Sequence, residues 1–210
     1  MTKRHAPIIE IPHDALVVLI GPAASGKSTF AAKRFLETQV VSSDRCRALL
    51  CDDPGNQAVS GRAFELFHFL IGHRLAIRRL TVADSTALEA RARRDLLALA
   101  QASHRPVVAI IFHVSRHTCL KRDALRERKV GAEVIDRHMA RLRATYGHIG
   151  GEAFDRIYLL DEPMAAKVHV RLVAVLGPPA PESAANKASA GGRRRPAGGS
   201  ALPHSAHPSH

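Results

Sequence analysis

The chain has 210 residues and a formal net charge of +12 at pH 7, from 31 Lys or Arg and 19 Asp or Glu. This length suffices for one domain with a buried core. The three cysteines are not clustered, so neither a disulfide framework nor a structural zinc site is indicated. The segment from Gly177 onward contributes four Lys or Arg and one Glu, so residues 1–176 have a charge of +9. This charge favours phosphate-containing partners, with a solvated basic surface as the alternative.

The N-terminal sequence MTKRHAPIIEIPHD lacks the apolar core of a signal peptide, and no apolar run is long enough to span a bilayer. We therefore expect a cytoplasmic protein with no membrane partner. Residues 1–14 are predicted to be an N-terminal extension, 15–176 one domain, and 177–210 a disordered, basic tail rich in Pro, Gly, Ala and His, to which we assign no site.

Short apolar runs alternate with stretches of helical periodicity. The runs predicted as strands are 15–20, 40–43, 80–84, 107–114 and 156–160, and the two helical stripes are Phe64, Phe67, Ile71 and Leu75, then Leu88, Ala92, Leu96 and Ala100. Because the runs are apolar on both faces, the order predicts a three-layer α/β fold, with a parallel five-stranded sheet and helices on both faces. Residues 168–176 alternate like an edge strand only at their start, so their structure stays open.

The stretch GPAASGKST directly follows the first predicted strand and matches the P-loop pattern G-x4-G-K-[ST] at every specified position. In this pattern backbone N–H groups turn toward the phosphates, and the helix that follows points its positive end at them. The fold is therefore predicted to be that of a P-loop NTPase. The predicted ATP-binding residues are Gly21, Ala23, Ala24, Ser25, Gly26, Lys27, Ser28 and Thr29; Lys27 would reach the transferred phosphate, and Ser28 would bind Mg²⁺.

Two further predicted strands end at aspartates, at the sheet edge where such folds bind ligands. Asp44 follows the second strand and would share a helix face with Arg47, where a carboxylate can take a hydroxyl proton while a guanidinium holds a nearby phosphate. Ser43 or Asp44 would cap this helix, and the alternative is that Asp44 is merely its cap. Asp84 ends the third strand and would order Mg²⁺ through water, or would cap the turn before Leu88.

The segment KRDALRERKVG contains Arg122, Arg126 and Arg128 and has too few apolar residues to pack. These arginines would face the nucleotide from a mobile helical lid with Gly131 as its hinge, neutralising charge on the phosphates, or would lie on a solvated helix. Three residues of the following helix are expected to be surface or packing residues: Arg137, His138 and Arg141.

Together, the P-loop, SSDRCR, FHFLIGHRLAIRRLTVADST and the Arg-x3-Arg segment resemble the 5'-hydroxyl polynucleotide kinase domain of bacterial RNA-repair polynucleotide kinase-phosphatases, within the P-loop kinase superfamily. The resemblance covers roughly residues 15–160. It implies ATP and Mg²⁺ at Lys27 and Ser28, Asp44 as the general base on the 5'-hydroxyl, Arg47 as the clamp on the neighbouring substrate phosphate, and Arg126 as the lid residue acting on ATP. Arg122 and Arg128 match lid positions, and Asp84 matches the acid of the family's Asp-Ala-Thr-Asn segment.

The chain departs from this family at two site positions. Ala87 stands where the family favours Asn, and Arg45 stands where an aromatic residue is usual. The multidomain relatives continue into phosphatase and nucleotidyltransferase modules, so we expect any repair partner of this chain to be a separate protein.

The sequence thus predicts an ATP-dependent kinase whose acceptor is the 5'-OH end of RNA or DNA. With no Trp, seven Phe and two Tyr, stacking on bases would depend mainly on arginine planes. One alternative is a small-molecule kinase for a sugar, nucleoside or antibiotic, including a zeta-toxin-like kinase of a nucleotide sugar. Another is a nucleotide-binding module without catalytic activity.

Overall fold

The computed structural model describes residues 7–174. The elements in chain order are β1 (Ile8–Pro12), β2 (Leu16–Ile20), α1 (Lys27–Arg34), β3 (Val40–Ser42), α2 (Ser43–Cys51), α3 (Ser60–Ala76), β4 (Thr81–Asp84), α4 (Ala90–Ala102), β5 (Val107–His113), α5 (Arg116–Ala124), α6 (Ala132–His148), β6 (Arg156–Asp161), α7 (Glu162–Lys167) and β7 (His169–Val173). The tail predicted for residues 177–210 lies outside the described residues. None of the described helices is long and apolar enough to cross a bilayer.

The central sheet has five parallel strands in the order β3-β4-β2-β5-β6, so the predicted strands and sheet are confirmed. β2 lies in the middle, and all five of its residues are fully buried. Its side chains alternate between two apolar layers, with Leu16, Val18 and Ile20 in one and Val17 and Leu19 in the other. A strand that contacts helices on both faces must be apolar throughout, which explains the uninterrupted run LVVLI.

Helices cover both faces of this sheet. One layer contains the apolar stripes of α3 and α4, including Phe67, Ile71 and Leu96. The other contains residues of α1, α5 and α6, with Phe30 packed edge-to-face on Phe112 of β5. Burying side chains of this size stabilises the fold by about 1.5–3 kcal/mol each.

Part of the predicted N-terminal extension, residues 8–12, belongs to the folded domain. Residues 8–12 form β1, which pairs in parallel with β7 from Ile8 opposite His169 to Pro12 opposite Val173. Ile9 and Ile11 are fully buried in the second apolar layer, because they alternate with outward-facing residues as in a half-buried strand. The same pairing settles residues 169–173 as a strand, outside the five-stranded sheet.

Candidate active site

The phosphate loop follows β2 and turns sharply before α1 begins at Lys27. Ala24 and Gly26 have left-handed backbones, with φ of 60° and 99°, and such residues aim successive N–H groups toward the inside of the loop. At Gly21 a Cβ would lie only 3.1 Å from the Cβ of Phe112 and from Ser25 Oγ, so the position accepts only glycine without a shift of its neighbours. Gly21 is therefore favoured by the lack of space for a side chain, and Gly26 by its left-handed backbone.

Lys27 folds back over this loop. Its Nζ donates to the carbonyls of Gly21 (2.9 Å) and Pro22 (2.8 Å), and its side chain is buried. Burial lowers the pKa of Lys27 to about 8, while the charge of Asp84 acts in the opposite direction. The ammonium form still predominates at pH 7, and a bound anion would favour that form further.

Asp84 ends β4 beside the phosphate loop and is almost fully buried. Burial raises the pKa of its carboxyl, and the Ser28 hydroxyl and the Lys27 charge partly counteract this. The next helix, α4, begins at Ala90 with Glu89 as its N-cap residue. A hydroxyl and a carboxylate whose charge is not fully compensated form a donor set that fits Mg²⁺, which prefers hard oxygen ligands and keeps several waters.

Asp44 and Arg47 lie together in the first turns of α2. Ser42 caps this helix by accepting from the Arg45 N–H at 3.5 Å, so the prediction that Ser43 or Asp44 is the cap is wrong. Arg47 Nη1 donates to Asp44 Oδ1 at 2.5 Å; the guanidinium is buried while the Asp44 side chain is 64% exposed. The carboxylate is therefore held by a fixed cation and remains open to a substrate.

The guanidinium of Arg47 has further neighbours that fix its plane. Its Nε donates to Ser60 Oγ at 3.3 Å, and its Cζ lies 5.8 Å from the centroid of the Phe64 ring. A guanidinium oriented by an aromatic ring and a hydroxyl loses little freedom when it binds a phosphate.

The arginines predicted to form a lid lie on the end of α5 and in the loop 125–131. Arg122 of α5 donates to the Ser25 carbonyl at 3.0 Å, whereas Arg128 in the loop donates to the Gly55 carbonyl at 3.3 Å. Buried Asp123 accepts from the Gly131 N–H at 3.0 Å and from the N–H of the preceding residue at 3.1 Å, which ties the expected hinge to α5. Gly131 has a φ of 86°, so glycine suits this position.

Two cavities border the phosphate loop. The larger cavity, about 810 Å³, brings together ten predicted site residues: Ala23, Ala24, Gly26, Lys27, Ser28, Asp44, Arg47, Asp84, Arg126 and Arg128. The smaller cavity, about 330 Å³, is lined by three others, Ser25, Thr29 and Arg122, and by the rings of Phe30 and Phe112. Ala24, Gly26 and Arg126 line both, so they mark where the cavities meet. Gly21 lines neither of them.

A family model described as an AAA domain (AAA_33) matches residues 16–148, which is more than half of the chain. The chain belongs to this AAA domain family. No curated protein sequence matches it closely enough to narrow the assignment.

Solved structures resemble this AAA domain at low sequence identity. A chain of the Pnkp1/Rnl/Hen1 RNA repair complex matches with a TM-score of 0.55 and 21% identity over 69% of this chain, and the match spans 47% of that longer chain. A gluconokinase from Sinorhizobium meliloti 1021 has a TM-score of 0.47 and 19% identity, with coverage of 75% of this chain and 89% of its own. The first likeness confirms the predicted resemblance at the level of the fold, which is that of a P-loop kinase.

Two residues that the sequence predicted to be surface or packing residues line the larger cavity. Arg137 and His138 of α6 both line the larger cavity, and His138 Nδ1 accepts from the Ala23 N–H at 3.2 Å. Arg141 instead pairs with Glu89 at 2.9 Å. The only sequence signal was the spacing of Val134, Arg137 and His138, which lie on one helical face.

Arg93 of α4 was not singled out by the sequence analysis, and it holds the turn after β4. It is fully buried, donates to both carboxylate oxygens of Glu152 (2.7 and 2.5 Å), and donates to the carbonyls of Ala87 (3.0 Å) and Leu88 (2.9 Å). The Thr86 carbonyl of the same turn accepts from the first amide of the phosphate loop, at 3.1 Å. Arg93 thus fixes the backbone that joins Asp84 to the phosphate loop.

Proposed function

We propose that this AAA domain is an ATP-dependent kinase that transfers the γ-phosphate to a hydroxyl group, and that the 5'-OH end of RNA or DNA is its acceptor. The observation that supports this most is the larger cavity, in which the Asp44–Arg47 pair faces the same space as Lys27 and Asp84. A module that only binds nucleotide needs neither an exposed carboxylate nor a guanidinium beside it.

The two cavities suit the two ends of ATP, the phosphate donor. The nucleoside would occupy the smaller cavity, and the phosphates would cross the loop toward the larger one. Arg126 borders both and would lie against the phosphates where charge builds during transfer. Ser28 and Asp84 would hold Mg²⁺, which supplies further neutralisation of the phosphates when bound.

The acceptor hydroxyl would lie between Asp44 and the γ-phosphorus. As its oxygen bonds to phosphorus, its proton passes to the Asp44 carboxylate, the bond to the β,γ-bridging oxygen breaks and ADP leaves. Arg47 would hold the phosphate next to this hydroxyl, since its guanidinium is oriented by Phe64 and Ser60.

The charge around the larger cavity favours an anionic acceptor. Its lining includes six cationic side chains and two acidic ones: Lys27, Arg47, Arg126, Arg128, Lys129 and Arg137 against Asp44 and Asp84. Part of this charge would face ATP, but Arg47 is paired with the acceptor-side carboxylate. An acceptor with its own phosphate, such as the terminal nucleotide of a strand, would use that charge; a neutral sugar would not.

One contact favours the alternative of a small-molecule acceptor. Arg128 of the lid loop donates to the Gly55 carbonyl, in the loop between α2 and α3, and both loops contribute residues to the larger cavity. A bridge between these loops leaves less room for a polymer than for a metabolite.

The test is phosphoryl transfer from labelled ATP to 5'-OH oligonucleotides of RNA and DNA, beside a panel of sugars, nucleosides and nucleotide sugars. We expect the oligonucleotides to be labelled, Lys27→Ala to abolish labelling, and Asp44→Asn to reduce it by about 10²–10⁴-fold. Labelling of the metabolites alone would establish the small-molecule function instead. Transfer that Asp44→Asn leaves unchanged would remove Asp44 from the role of base.

A further inference from the structure

His138 presents a hydrogen-bond donor to the larger cavity. Its Nδ1 accepts from the Ala23 N–H, so Nδ1 is unprotonated and the ring proton of the neutral imidazole lies on Nε2. Within residues 7–174, no protein group accepts from that Nε2. The imidazole, bonded to the phosphate loop through Nδ1, therefore has one N–H group for which residues 7–174 provide no acceptor.

The surroundings of the ring favour an anion as that partner. The positive charges of three side chains act on it, those of Lys27 in the phosphate loop and of Arg141 and Arg137 in its own helix. Burial first, and then these charges, lower the pKa of His138 to about 4, so the ring is neutral at pH 7. A neutral N–H donor adds a directed hydrogen bond to a site whose positive charge is already supplied by Lys27.

The position of the ring selects one phosphate of the bound nucleotide. His138 and Ala23 line the larger cavity, with Asp44, and they do not line the smaller cavity proposed for the nucleoside. A phosphate within reach of Nε2 is therefore the one nearest the acceptor. Resting on the proposed function, we propose that His138 is a further nucleotide-binding residue, which donates from Nε2 to the terminal phosphate of the triphosphate.

This contact would distinguish ATP from ADP, because ADP has no phosphate at that place. It would also link α6 to the nucleotide, since the same ring bonds the phosphate loop through Nδ1 and the terminal phosphate through Nε2. Two substitutions separate the two nitrogens. His138→Asn keeps a side-chain oxygen near Nδ1 and removes the Nε2 donor, whereas His138→Gln can extend an amide N–H to the position of Nε2.

The experiment is calorimetric titration of the full chain with Mg-ATP and with Mg-ADP, with thermal unfolding to verify that each variant is folded. We expect His138→Asn to weaken ATP binding by about tenfold or more and to leave ADP binding within about twofold, since hydrogen bonds to charged groups are among the stronger ones. His138→Gln should recover most of the ATP affinity. The matched control is His148→Asn, an exposed histidine on the same helix that lines neither cavity, and it should change nothing.

Three results would overturn this inference, and a fourth would separate it from the proposed function. Equal weakening of ATP and ADP by His138→Asn would mean that the ring only supports the phosphate loop, and unchanged ATP binding would mean that it makes no contact; either overturns the proposal. If the wild type binds neither nucleotide, the proposed function fails and this inference fails with it. Selective loss of ATP affinity without transfer to any hydroxyl would refute the kinase and leave the role of His138 supported.

Discussion

Two aspartates at opposite ends of the central sheet are similarly buried and have opposite electrostatics. Asp14 precedes β2 at the amino end and is 1% exposed, while Asp84 ends β4 at the carboxyl end and is 6% exposed. Burial raises the pKa of both carboxyls. At Asp14 this is outweighed by Arg105 and Arg78, which both donate to Oδ2, so its pKa is lowered. At Asp84 the Ser28 hydroxyl and Lys27 do not compensate, and the pKa stays raised.

The difference separates a carboxylate that is neutralised by arginines from one that we propose to bind a cation. Arg78 and Arg105 lie just before β4 and β5, so Asp14 joins the turns at the amino end of the sheet. Asp84 has no arginine partner in the described part of the chain, and it lines the larger cavity. A buried carboxylate with too little positive charge around it lowers the free energy of unfolding, but it is suited to bind a cation.

The comparison predicts that Asp84→Asn separates activity from stability. Phosphoryl transfer should fall by about 10²–10³-fold, because the cation site loses its charge. Stability should rise at pH 7: folding raises the pKa of Asp84, so ionisation destabilises the fold as pH increases from its ordinary value of 3.8 toward the folded value. Kinetic assays and thermal unfolding at pH 7 measure both effects. A lower melting temperature would show that Asp84 is structural, as Asp14 is.

Arg93 and Glu152 form a structural ion pair at the carboxyl end of the central sheet, and neither residue lines the larger cavity. Arg93→Met should lower the free energy of unfolding by about 4 kcal/mol, because it leaves Glu152 unpaired and the turn carbonyls without a donor. Chemical denaturation measures this loss. Arg94→Met, at an exposed position of the same helix, is the matched control and should be close to neutral. Equal effects of the two variants would contradict the role assigned to the buried pair.

At the amino end, Asp14→Asn should lower the free energy of unfolding by about 3 kcal/mol at pH 7 and leave the catalytic rate unchanged. Folding lowers the pKa of Asp14, so its contribution is present above the ordinary value of 3.8 and is lost as pH falls through the lower folded value. The wild type and the variant should therefore converge in stability as pH is lowered through that range. A constant difference would mean that the side-chain shape and not its charge is responsible.

Local patterns in the sequence were enough to predict the five-stranded sheet and the phosphate loop. The strands of this sheet are short apolar runs, and the P-loop residues are contiguous, so each signal lies within a few residues. The strand-end position of Asp84 followed from parallel topology alone.

The features that sequence reasoning missed depend on contacts between distant segments. His138 and Ala23 are 115 residues apart, and Arg93 and Glu152 are 59 apart. Helical periodicity shows which face of α6 is directed inward, but not that a phosphate loop lies beneath it. β1 was missed because Glu10 and Pro12 interrupt its apolar run and its partner strand, β7, lies at the other end of the domain.

Ala87 lies at the carboxyl end of the sheet, at a position where the family that the chain resembles favours Asn. A substitution there is expected to have the smallest effect of those considered. Its φ is 45°, a left-handed backbone that costs a residue with a Cβ about 1–2 kcal/mol, and Arg93 binds its carbonyl. In Ala87→Gly, relief of that strain offsets the lost methyl burial of about 0.8 kcal/mol and the greater freedom of glycine in the unfolded chain.

We expect Ala87→Gly to change the free energy of unfolding by less than about 0.5 kcal/mol, whereas Ala83→Gly in the buried strand β4, where no strain is relieved, should cost about 1.5 kcal/mol. Denaturant titration of the two variants measures the difference. Equal losses would mean that Ala87 is not strained, and the turn that joins Asp84 to the phosphate loop would then need no support from Arg93 to hold its shape.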